Sequence, residues 1–332
     1  MSGIIRNSIR IAAAVLVAAT GTAAAVFSQC DTWRAESIQD QFSEEHMRVT
    51  IPGMEESCTI LWISDMHICS YPEDPDVTEE NMPAAQERYE LLRDDVGSTS
   101  LENWDYLSAS VDSSGADYVV FGADMVDYAS QANLDALREG LEKVRIPWMY
   151  IRADHDYGRW FTDMGIKEMR KLHRKIAPQN KIWVQRFEAF TIVGLDNTTT
   201  AVTEETLQQF TEICEEGKPV ILCTHVPIDQ RKNVSVSGQS GALGENVTLA
   251  EASRAGWGDR VLCWGEGDEY DASEGTVMGR LMDLIYAQDS PVIAVLAGHL
   301  HLSWEGNLTD TCVEHVFSAA YEKHIGIITV SG

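Results

Sequence analysis

Basic side chains are scarce in this sequence of 332 residues. It has 25 lysines and arginines against 52 aspartates and glutamates, and its formal net charge is −27 at pH 7. A surface of this sign repels phosphate backbones, so we expect no nucleic-acid partner. The simplest interpretation of the charge is that it keeps the protein soluble. The sequence indicates no particular protein partner.

Cysteines with metal-binding spacing are also missing. The seven cysteines contain no CxxC pair and no zinc-ribbon spacing, which argues against a structural zinc site of that kind. Cys223 lies in an apolar run and is predicted to be a thiol of the core. No disulfide is assigned. The sequence has no internal repeat and no second domain boundary.

One long apolar run stands at the N-terminus. Arg6 and Arg10 precede an alanine-rich stretch from Ile11 to Phe27. This run of roughly 17 residues is at the lower limit for a membrane-spanning helix, and Ala23-Ala24-Ala25 resembles a cleavage site for a secretory signal. We therefore expect residues 1–29 to be a signal peptide or a membrane anchor. The arginines would stay in the cytoplasm, so the remaining chain would be exported, either membrane-anchored or secreted.

Short apolar runs alternate with helical patterns along the remaining chain. Strands are predicted at 46–51, 58–64, 118–122, 148–152, 182–187, 190–195, 220–224 and 291–297, and again between 312 and 330. Helices are predicted at 87–96, 104–111, 134–144, 165–177, 203–216 and 277–287.

This alternation is typical of an α/β domain with a mainly parallel sheet, in which ligands gather at the carboxyl ends of the strands. We place the domain at 58–332, after a linker and first strand at 30–57. Within that stretch, residues 31–45 are expected to be polar linker. Residues 72–80 are expected to be a loop, and residues 229–276 a long excursion over the mouth of the site.

Five short motifs rich in carboxylates and histidines each follow an apolar run. They are Asp65-Met66-His67, Gly122-Ala123-Asp124-Met125-Val126-Asp127, Ala153-Asp154-His155-Asp156, His225-Val226-Pro227 and Gly298-His299-Leu300-His301. Each motif alone has an ordinary structural explanation, such as a solvated turn for Asp65-Met66-His67 or the exit of a strand for the motif at 122–127. Together, at strand ends that meet at one sheet edge, they indicate a site that holds two divalent ions for phosphoester cleavage. Imidazole and carboxylate ligands suit Mn, Fe, Zn or Ni.

The order of these motifs resembles the calcineurin-like metallophosphoesterase family. That family's pattern is D-x-H, G-D-x-x-D/N, G-N-H-D/E, a lone H and G-H-x-H, and the resemblance runs from about Cys58 to the end of the chain. It implies a four-layer α/β/β/α sandwich and a dinuclear metal site. By resemblance, the first metal is bound by Asp65, His67 and His301, the second by Asp154, His225 and His299, and Asp124 bridges both. His155 would be the acid that protonates the leaving group, with Asp156 orienting it.

Three positions depart from the family pattern. Ala123 and Ala153 stand where the family has glycine, and a methyl group would crowd the turn at each. Asp154 stands where the family has asparagine, which adds one negative charge at the second metal. We expect this charge to tune the activity, and the alternatives are loss of activity or a changed metal preference. Among the other histidines, His46 and His173 are predicted to lie at the surface, and His315 and His324 have no assigned role.

The resemblance implies a hydrolase that cleaves a small phosphomonoester, phosphodiester or nucleotide, or a phosphorylated envelope component. Asp127-Tyr128-Ala129 replaces the Asp-Arg-Gly of protein Ser/Thr phosphatases, and Asp127 occupies the position of the metal-binding tyrosine of purple acid phosphatases. The acidic surface disfavours the nuclease branches. One alternative is a degenerate member that binds metal outside the cytoplasm without catalysis. The other is a structural envelope protein.

Overall fold

A computed structural model describes residues 37–178, 181–197, 202–228, 238–240, 243–257 and 275–332. The predicted signal or anchor segment at 1–29 and much of the predicted excursion at 229–276 lie outside these residues. Within the described ranges, no helix combines the length and apolar character that crossing a membrane requires.

The described strands form two sheets. The strands are β1 Ser43–Thr50, β2 Cys58–Ile63, β3 Tyr118–Gly122, β4 Trp148–Ile151, β5 Ile182–Arg186, β6 Thr191–Leu195, β7 Val220–Cys223, β8 Gly238–Ser240, β9 Gly244–Val247, β10 Val292–Ala297, β11 Trp304–Asn307, β12 Val313–Val316 and β13 His324–Ser331. Sheet 1 has the order β1-β13-β2-β3-β4, and sheet 2 has the order β5-β6-β7-β10-β12-β11-β8-β9. In sheet 1, β2, β3 and β4 run parallel, and in sheet 2, β6, β7, β10 and β12 do so.

Helices cover the outer faces of the two sheets. The described α-helices are α1 Met82–Leu91, α2 Ser100–Ser110, α3 Gln131–Leu141, α4 Asp154–Tyr157, α5 Ile166–Ile176, α6 Glu204–Glu215, α7 Leu249–Trp257 and α8 Val277–Tyr286. Several begin at a side-chain cap, such as Thr99 with Glu102, Ser130 and Thr203. A hydroxyl that accepts from a first-turn N–H fixes each of these starts.

Three apolar cores define the layers. Leu61, Val119 and Phe121 of sheet 1 pack with Trp104 of α2 and Leu137 of α3. The opposite face of sheet 1 packs on sheet 2, for example through Trp62, Ile192 and Cys223. The outer face of sheet 2 packs on α6 and α8 through Val295, Phe210 and Leu281. The fold is therefore a four-layer α/β/β/α sandwich, as predicted, and Cys223 is a core thiol between its sheets.

Two sequence predictions about elements were wrong, and a third was incomplete. Residues 37–45, the described part of the segment predicted as polar linker, already belong to the fold, because Ile38 and Phe42 are buried and β1 begins at Ser43. The helix predicted at 87–96 lies earlier, at Met82–Leu91. The predicted excursion at 229–276 contains β8, β9 and α7, and β8 and β9 extend sheet 2 beyond β11, a strand that the sequence pattern did not reveal.

Candidate metal centre

The five motifs lie where parallel strands end. Asp65 follows β2, Asp124 follows β3 and α4 follows β4, all in sheet 1. His225 follows β7 and His299 follows β10, both in sheet 2. Because the two sheets pack face to face, their carboxyl edges bring these motifs together. The site therefore spans the seam between the sheets.

The backbone at this seam adopts a positive-φ conformation that residues other than glycine normally avoid. Among the described residues, seven that are not glycine have a positive φ, and six of them lie in the motifs: Asp65, His67, Ala123, Asp124, His299 and His301. Such backbone costs on the order of 1–3 kcal/mol per residue and is retained where surrounding structure enforces it. Here it turns donor atoms inward from tight strand exits.

The side chains form three overlapping groups of metal-donor atoms. Each group has its ligand atoms within 4.8 Å of one another: Asp65 with His67 and His301, Asp124 with His225 and His299, and Asp124 with His67 and His155. Nε2 of His225 lies 3.0 Å from Oδ2 of Asp124, and Nε2 of His67 lies 3.1 Å from Nε2 of His301. Asp124 belongs to two groups, the placement that a bridging ligand requires.

Buried donor atoms in this cluster lack hydrogen-bond partners. Oδ1 of Asp124 and Nε2 of His299 are enclosed by protein and make no hydrogen bond. Leaving such an atom unpaired costs about 1–3 kcal/mol, so a buried polar atom normally has a bonding partner. Nitrogen and carboxylate oxygen together suit a divalent transition metal. The residues present therefore fit the metal pair that the sequence predicts.

The buried carboxylates and histidines of the cluster shift one another's pKa values. Burial opposes the charged form of His225, but Asp124 and Asp65 outweigh it and raise the pKa of His225 to about 10. Burial lowers the pKa of His67 to about 4 and that of His299 to about 3, aided for His299 by the charge of His225. Burial opposes ionisation of Asp65 and Asp124, yet the neighbouring histidines hold both carboxyl pKa values below the usual range.

Asp154 stands apart from the other predicted ligands. It is the first residue of α4 and is exposed, and none of the three donor groups includes it. Partial burial and the nearby charge of Asp124 raise the pKa of its carboxyl group. The structure thus places Asp154 at the rim of the site, near Asp124.

His155 is held by Asp127, a residue to which the sequence assigned no role. Its Nδ1 lies 2.8 Å from the backbone oxygen of Asp127 and 3.4 Å from its carboxylate. The same carboxylate lies 3.3 Å from Nδ1 of His67 and accepts from the guanidinium of Arg88 on α1. Burial opposes protonation of His155, but Asp124 and Asp127 raise its pKa to about 9.

The hydrogen bonds found for the Asp156 carboxylate go to backbone N–H groups and Tyr150, and none goes to the ring of His155. Its buried carboxylate accepts from the backbone N–H groups of Ala153 at 2.9 Å, Asp124 at 3.1 Å and Met125 at 3.0 Å, and from the hydroxyl of Tyr150 at 2.7 Å. Burial and the charge of Asp124 raise its pKa to about 7. Asp156 therefore fixes the turn that carries Asp124, whereas Asp127 orients His155.

Two further residues shape the site without a motif of their own. The side-chain oxygen of Asn197 accepts from the backbone N–H groups of His225 and Val226, both at 3.1 Å, so it holds the turn after β7. Gly298 leaves room for the carboxylate of Asp65, which a Cβ at this position would meet. Asp65 accepts from the backbone N–H of His299 through that gap. The sequence signal for this role of Gly298 was the glycine of the G-H-x-H motif.

The remaining histidines divide into surface and buried groups. His46 is exposed, as predicted. His173 was predicted to be at the surface, and this is wrong: it is fully buried, with Nε2 2.7 Å from the backbone oxygen of Asp156. It lies on α5 beside Met169 and Leu172, on the face turned to the core. His315 and His324 both approach the carboxylate of Glu45, away from the five motifs.

Comparison with solved structures returns several phosphatases and nucleotidases. A dimetal phosphatase from Danio rerio is 11% identical, with 80% of this chain and 88% of that chain covered and a TM-score of 0.44. A purple acid phosphatase from yellow lupin is 11% identical, with 80% and 44% covered and a TM-score of 0.42. The NAD nucleotidase of Haemophilus influenzae is 10% identical, with 82% and 47% covered and a TM-score of 0.39. At such scores none of them indicates a substrate for this chain.

No curated protein sequence matches the chain. The sequence profile of calcineurin-like phosphoesterases matches residues 58–303, which contain all five motifs. The chain belongs to the calcineurin-like phosphoesterase family.

Proposed function

We propose that this protein hydrolyses phosphomonoester or phosphodiester bonds at a dinuclear metal site. The observation that carries the proposal is the position of Asp124, which lies in one donor group with His67 and in another with His225 and His299. Its Oδ1 is buried without a hydrogen-bond partner. Asp65, His67 and His301 would hold one ion, and His225 and His299 the other, with Asp124 shared and Asp154 within reach at the rim. Two bound divalent ions supply an activated water and neutralise the phosphoryl oxygens.

His155 is proposed to protonate the leaving oxygen. Its Nδ1 is occupied by Asp127, so Nε2 is the atom available to donate a proton. Its side chain is 24% exposed, whereas His67 and His225 are enclosed, so a substrate can reach it. The charge of His155 is sustained by Asp127, which Arg88 in turn anchors.

The same geometry allows a second role for His155. His155 belongs to a donor group with His67 and Asp124, so its ring is also placed to bind metal. His155→Ala distinguishes the two roles. If His155 is the acid, the variant protein retains both metals and its rate with a poor leaving group falls about 10²–10⁴-fold. Its rate with an activated aryl leaving group falls less. A loss of metal, or equal losses with both substrates, would contradict the acid role.

The competing function is metal binding without catalysis. Turnover of an aryl phosphate and of a bis-aryl phosphodiester with added Mn²⁺, measured beside metal content, tests it. We expect about two metals per chain and turnover that Asp124→Ala abolishes together with both metals. Two bound metals without turnover of a panel of mono- and diesters would favour the non-catalytic alternative. Less than one metal per chain would rule out both.

The side of the membrane on which the enzyme works is also a proposal. The charge pattern of Arg6, Arg10 and the apolar run Ile11–Phe27 supports export of the catalytic domain. Its substrate would then be a small phosphoester, a nucleotide or a phosphorylated envelope component outside the cytoplasm. Protease added to intact cells should digest the domain. Protection until lysis would contradict this orientation.

A further inference from the structure

The helix α5 carries a cationic surface on an otherwise acidic protein. Lys167, Arg170, Lys171, Arg174 and Lys175 are all exposed, and Glu168 is the only acidic residue of the helix. Together these five side chains, called here the cationic face, are a fifth of the basic residues of a chain with net charge −27. None of the ion pairs found among the described residues involves them.

The spacing of these residues makes one continuous stripe. Relative to Lys167 they lie at i+3, i+4, i+7 and i+8, which is one side of an α-helix. Met169, Leu172 and His173 occupy the opposite, buried side. At 1.5 Å per residue the stripe, from Lys167 to Lys175, is about 12 Å long. Five like charges at this spacing repel one another, so an anionic partner would relieve a cost that the free helix bears.

Two large apolar side chains are exposed at the start of α5 and in the segment before it. Ile166, the first residue of α5, is 50% exposed, and Trp160, six residues earlier, is 49% exposed. Trp160 lies against His155, with 4.6 Å between ring centroids. α5 is also fixed to the turn that carries His155, through His173 and the backbone of Asp156. The cationic face thus belongs to the helix that packs beside the mouth of the metal centre.

We propose that the cationic face, with Ile166 and Trp160, docks on an anionic membrane surface. Lysine and arginine near such a surface are attracted to acidic headgroups, while exposed isoleucine and tryptophan enter the interfacial layer. Charge screening over about 8 Å at physiological salt lets a local patch act despite the net charge of the whole protein. This inference does not depend on the proposed hydrolysis.

Two other partners fit the same surface less well. A nucleic-acid duplex has a fixed charge density and would extend past a stripe of about 12 Å over a protein of net charge −27, whereas lipids redistribute around a patch. A symmetric dimer through α5 would place five cations against five cations, because a two-fold interface uses the same patch twice. The membrane is therefore the partner that the charges and the apolar residues favour together.

The test is sedimentation of the full chain with lipid vesicles. Vesicles of phosphatidylcholine alone are compared with vesicles containing about 30% phosphatidylglycerol. The readout is the ratio of the two partition coefficients, because residues 11–27 are expected to attach to both kinds of vesicle. We expect a ratio well above one that falls as salt is added.

A triple variant and a matched control locate the effect. Lys167→Gln, Lys171→Gln and Arg174→Gln together should lower the ratio on the order of 100-fold, at about fivefold for each cation. The control substitutes three exposed cations elsewhere, Lys143, Arg145 and Arg186, by glutamine and should leave the ratio within about twofold. All six positions are exposed. Thermal unfolding and turnover of a soluble aryl phosphate should be unchanged in both variants.

The apolar contribution has its own variant. Ile166→Ser should weaken binding to the anionic vesicles about tenfold, because one large apolar side chain no longer enters the interface. Its binding should keep the salt dependence of the wild type, since no charge is altered.

Several outcomes would overturn the proposal. Equal partition into both vesicles would do so, as would equal losses in the triple variant and its control. Salt-sensitive self-association that the triple variant abolishes would identify a second copy as the partner. Binding to a DNA duplex without preference for anionic vesicles would identify a nucleic acid instead. Failure of hydrolysis with vesicle binding intact would leave this inference standing and contradict only the proposed function.

Discussion

His225 shows how single residues set the chemistry of the site before a metal arrives. Its side chain is fully buried, with Nδ1 3.1 Å from the backbone oxygen of Gly122 and Nε2 against Asp124. Despite burial, the adjacent carboxylates raise its pKa to about 10, so it is charged at pH 7 in the metal-free protein. A histidine must be neutral to bind a metal. Metal and proton therefore compete for His225.

This competition predicts proton release on metal loading. Titration of the metal-free protein with Zn²⁺ or Mn²⁺ near pH 7 should release about one proton per chain that His225→Ala does not release. Affinity should rise with pH up to about 10, because deprotonation of His225 precedes binding. Calorimetry in two buffers of different ionisation enthalpy measures the proton count. Equal proton release by wild type and His225→Ala would contradict the assignment.

Ala123 and Ala153 each stand where the family has a glycine, but their backbone conformations differ. Ala123 has φ +77°, in the left-handed region, whereas Ala153 has φ −129° and is extended. Both are buried, so Ala→Gly removes an enclosed methyl group at each. Only Ala123→Gly also relieves strain, worth about 1–2 kcal/mol. The sequence shows the same glycine-to-alanine change at both positions, and only the φ angles reveal that the two alanines differ in strain.

The alanine pair is therefore a matched experiment. We expect Ala153→Gly to lower the free energy of unfolding by about 1–2 kcal/mol more than Ala123→Gly does. Chemical denaturation of both variants under identical metal-free conditions measures the difference. Equal effects would mean that the surroundings of Ala123 absorb the strain.

At the scale of elements, the strand ends account for what the sequence predicted and what it did not. Apolar runs followed by donor residues identified β2, β3, β7 and β10 and placed Asp65, Asp124, His225 and His299 at one edge. Those strands are buried on both faces, so their residues are continuously apolar and the sequence predicts them as strands. The sequence did not predict the contacts that orient the donor side chains, called here the hidden contacts.

The hidden contacts join residues that are distant in the chain. Arg88 reaches Asp127 from α1, Asn197 reaches the turn of His225, and Asp156 gathers N–H groups from the turn after β3. Spacing within one motif carries no information about such partners. His173 is a different case, because it lies on the apolar side of α5 that Met169 and Leu172 already mark in the sequence.

A second cluster of charged residues joins the two sheets at a different place. Glu45 on β1 approaches His324 on β13 at 3.3 Å and His315 on β12 at 3.7 Å, and His315 also contacts Glu305 on β11 at 2.9 Å. Burial opposes the charge of Glu45, but the histidines hold its pKa below the usual range. Burial likewise opposes protonation of His315, yet Glu305 and Glu45 raise its pKa. Glu45 raises the pKa of His324.

These shifts predict how stability depends on pH. The raised histidine pKa values stabilise the fold fully below their unfolded value near 6.5, and the stabilisation is lost as pH rises through the folded values. The lowered pKa of Glu45 stabilises above about 4.5 and is lost on acidification. We therefore expect this cluster to contribute most between about pH 4.5 and 6.5, on the order of 1–2 kcal/mol.

Glu45→Gln tests this dependence. Its free energy of unfolding should fall below that of the wild type near pH 5.5, and the gap should narrow toward pH 9. Glu44→Gln is the control, because Glu44 pairs with exposed His46 at the surface. Urea denaturation across this pH range measures both. A gap that does not change with pH would show that Glu45 acts through packing and not through charge.

At the scale of the whole molecule, the metal centre is a joint between the two sheets. Asp65 and Asp124 come from sheet 1, and His225 and His299 come from sheet 2. Metal bound by these residues would therefore tie the sheets together, whereas without it Asp124 and His299 leave buried atoms without partners. Ligands that bind only the folded state stabilise it by mass action.

This linkage predicts a large loss of stability on metal removal. At a free metal concentration about 100 times the dissociation constant, the folded state gains about 2.7 kcal/mol per site, all of which a chelator removes. Asp124→Asn should lose most of this metal-dependent gain, because Asp124 belongs to two donor groups. Glu168→Gln, which alters an exposed acid on α5, should keep it in full. Denaturation of each variant with saturating Mn²⁺ and with chelator gives the gain as a difference within one protein, so the intrinsic stability of the variant cancels. A gain that survives Asp124→Asn unchanged would place the metals elsewhere in the molecule.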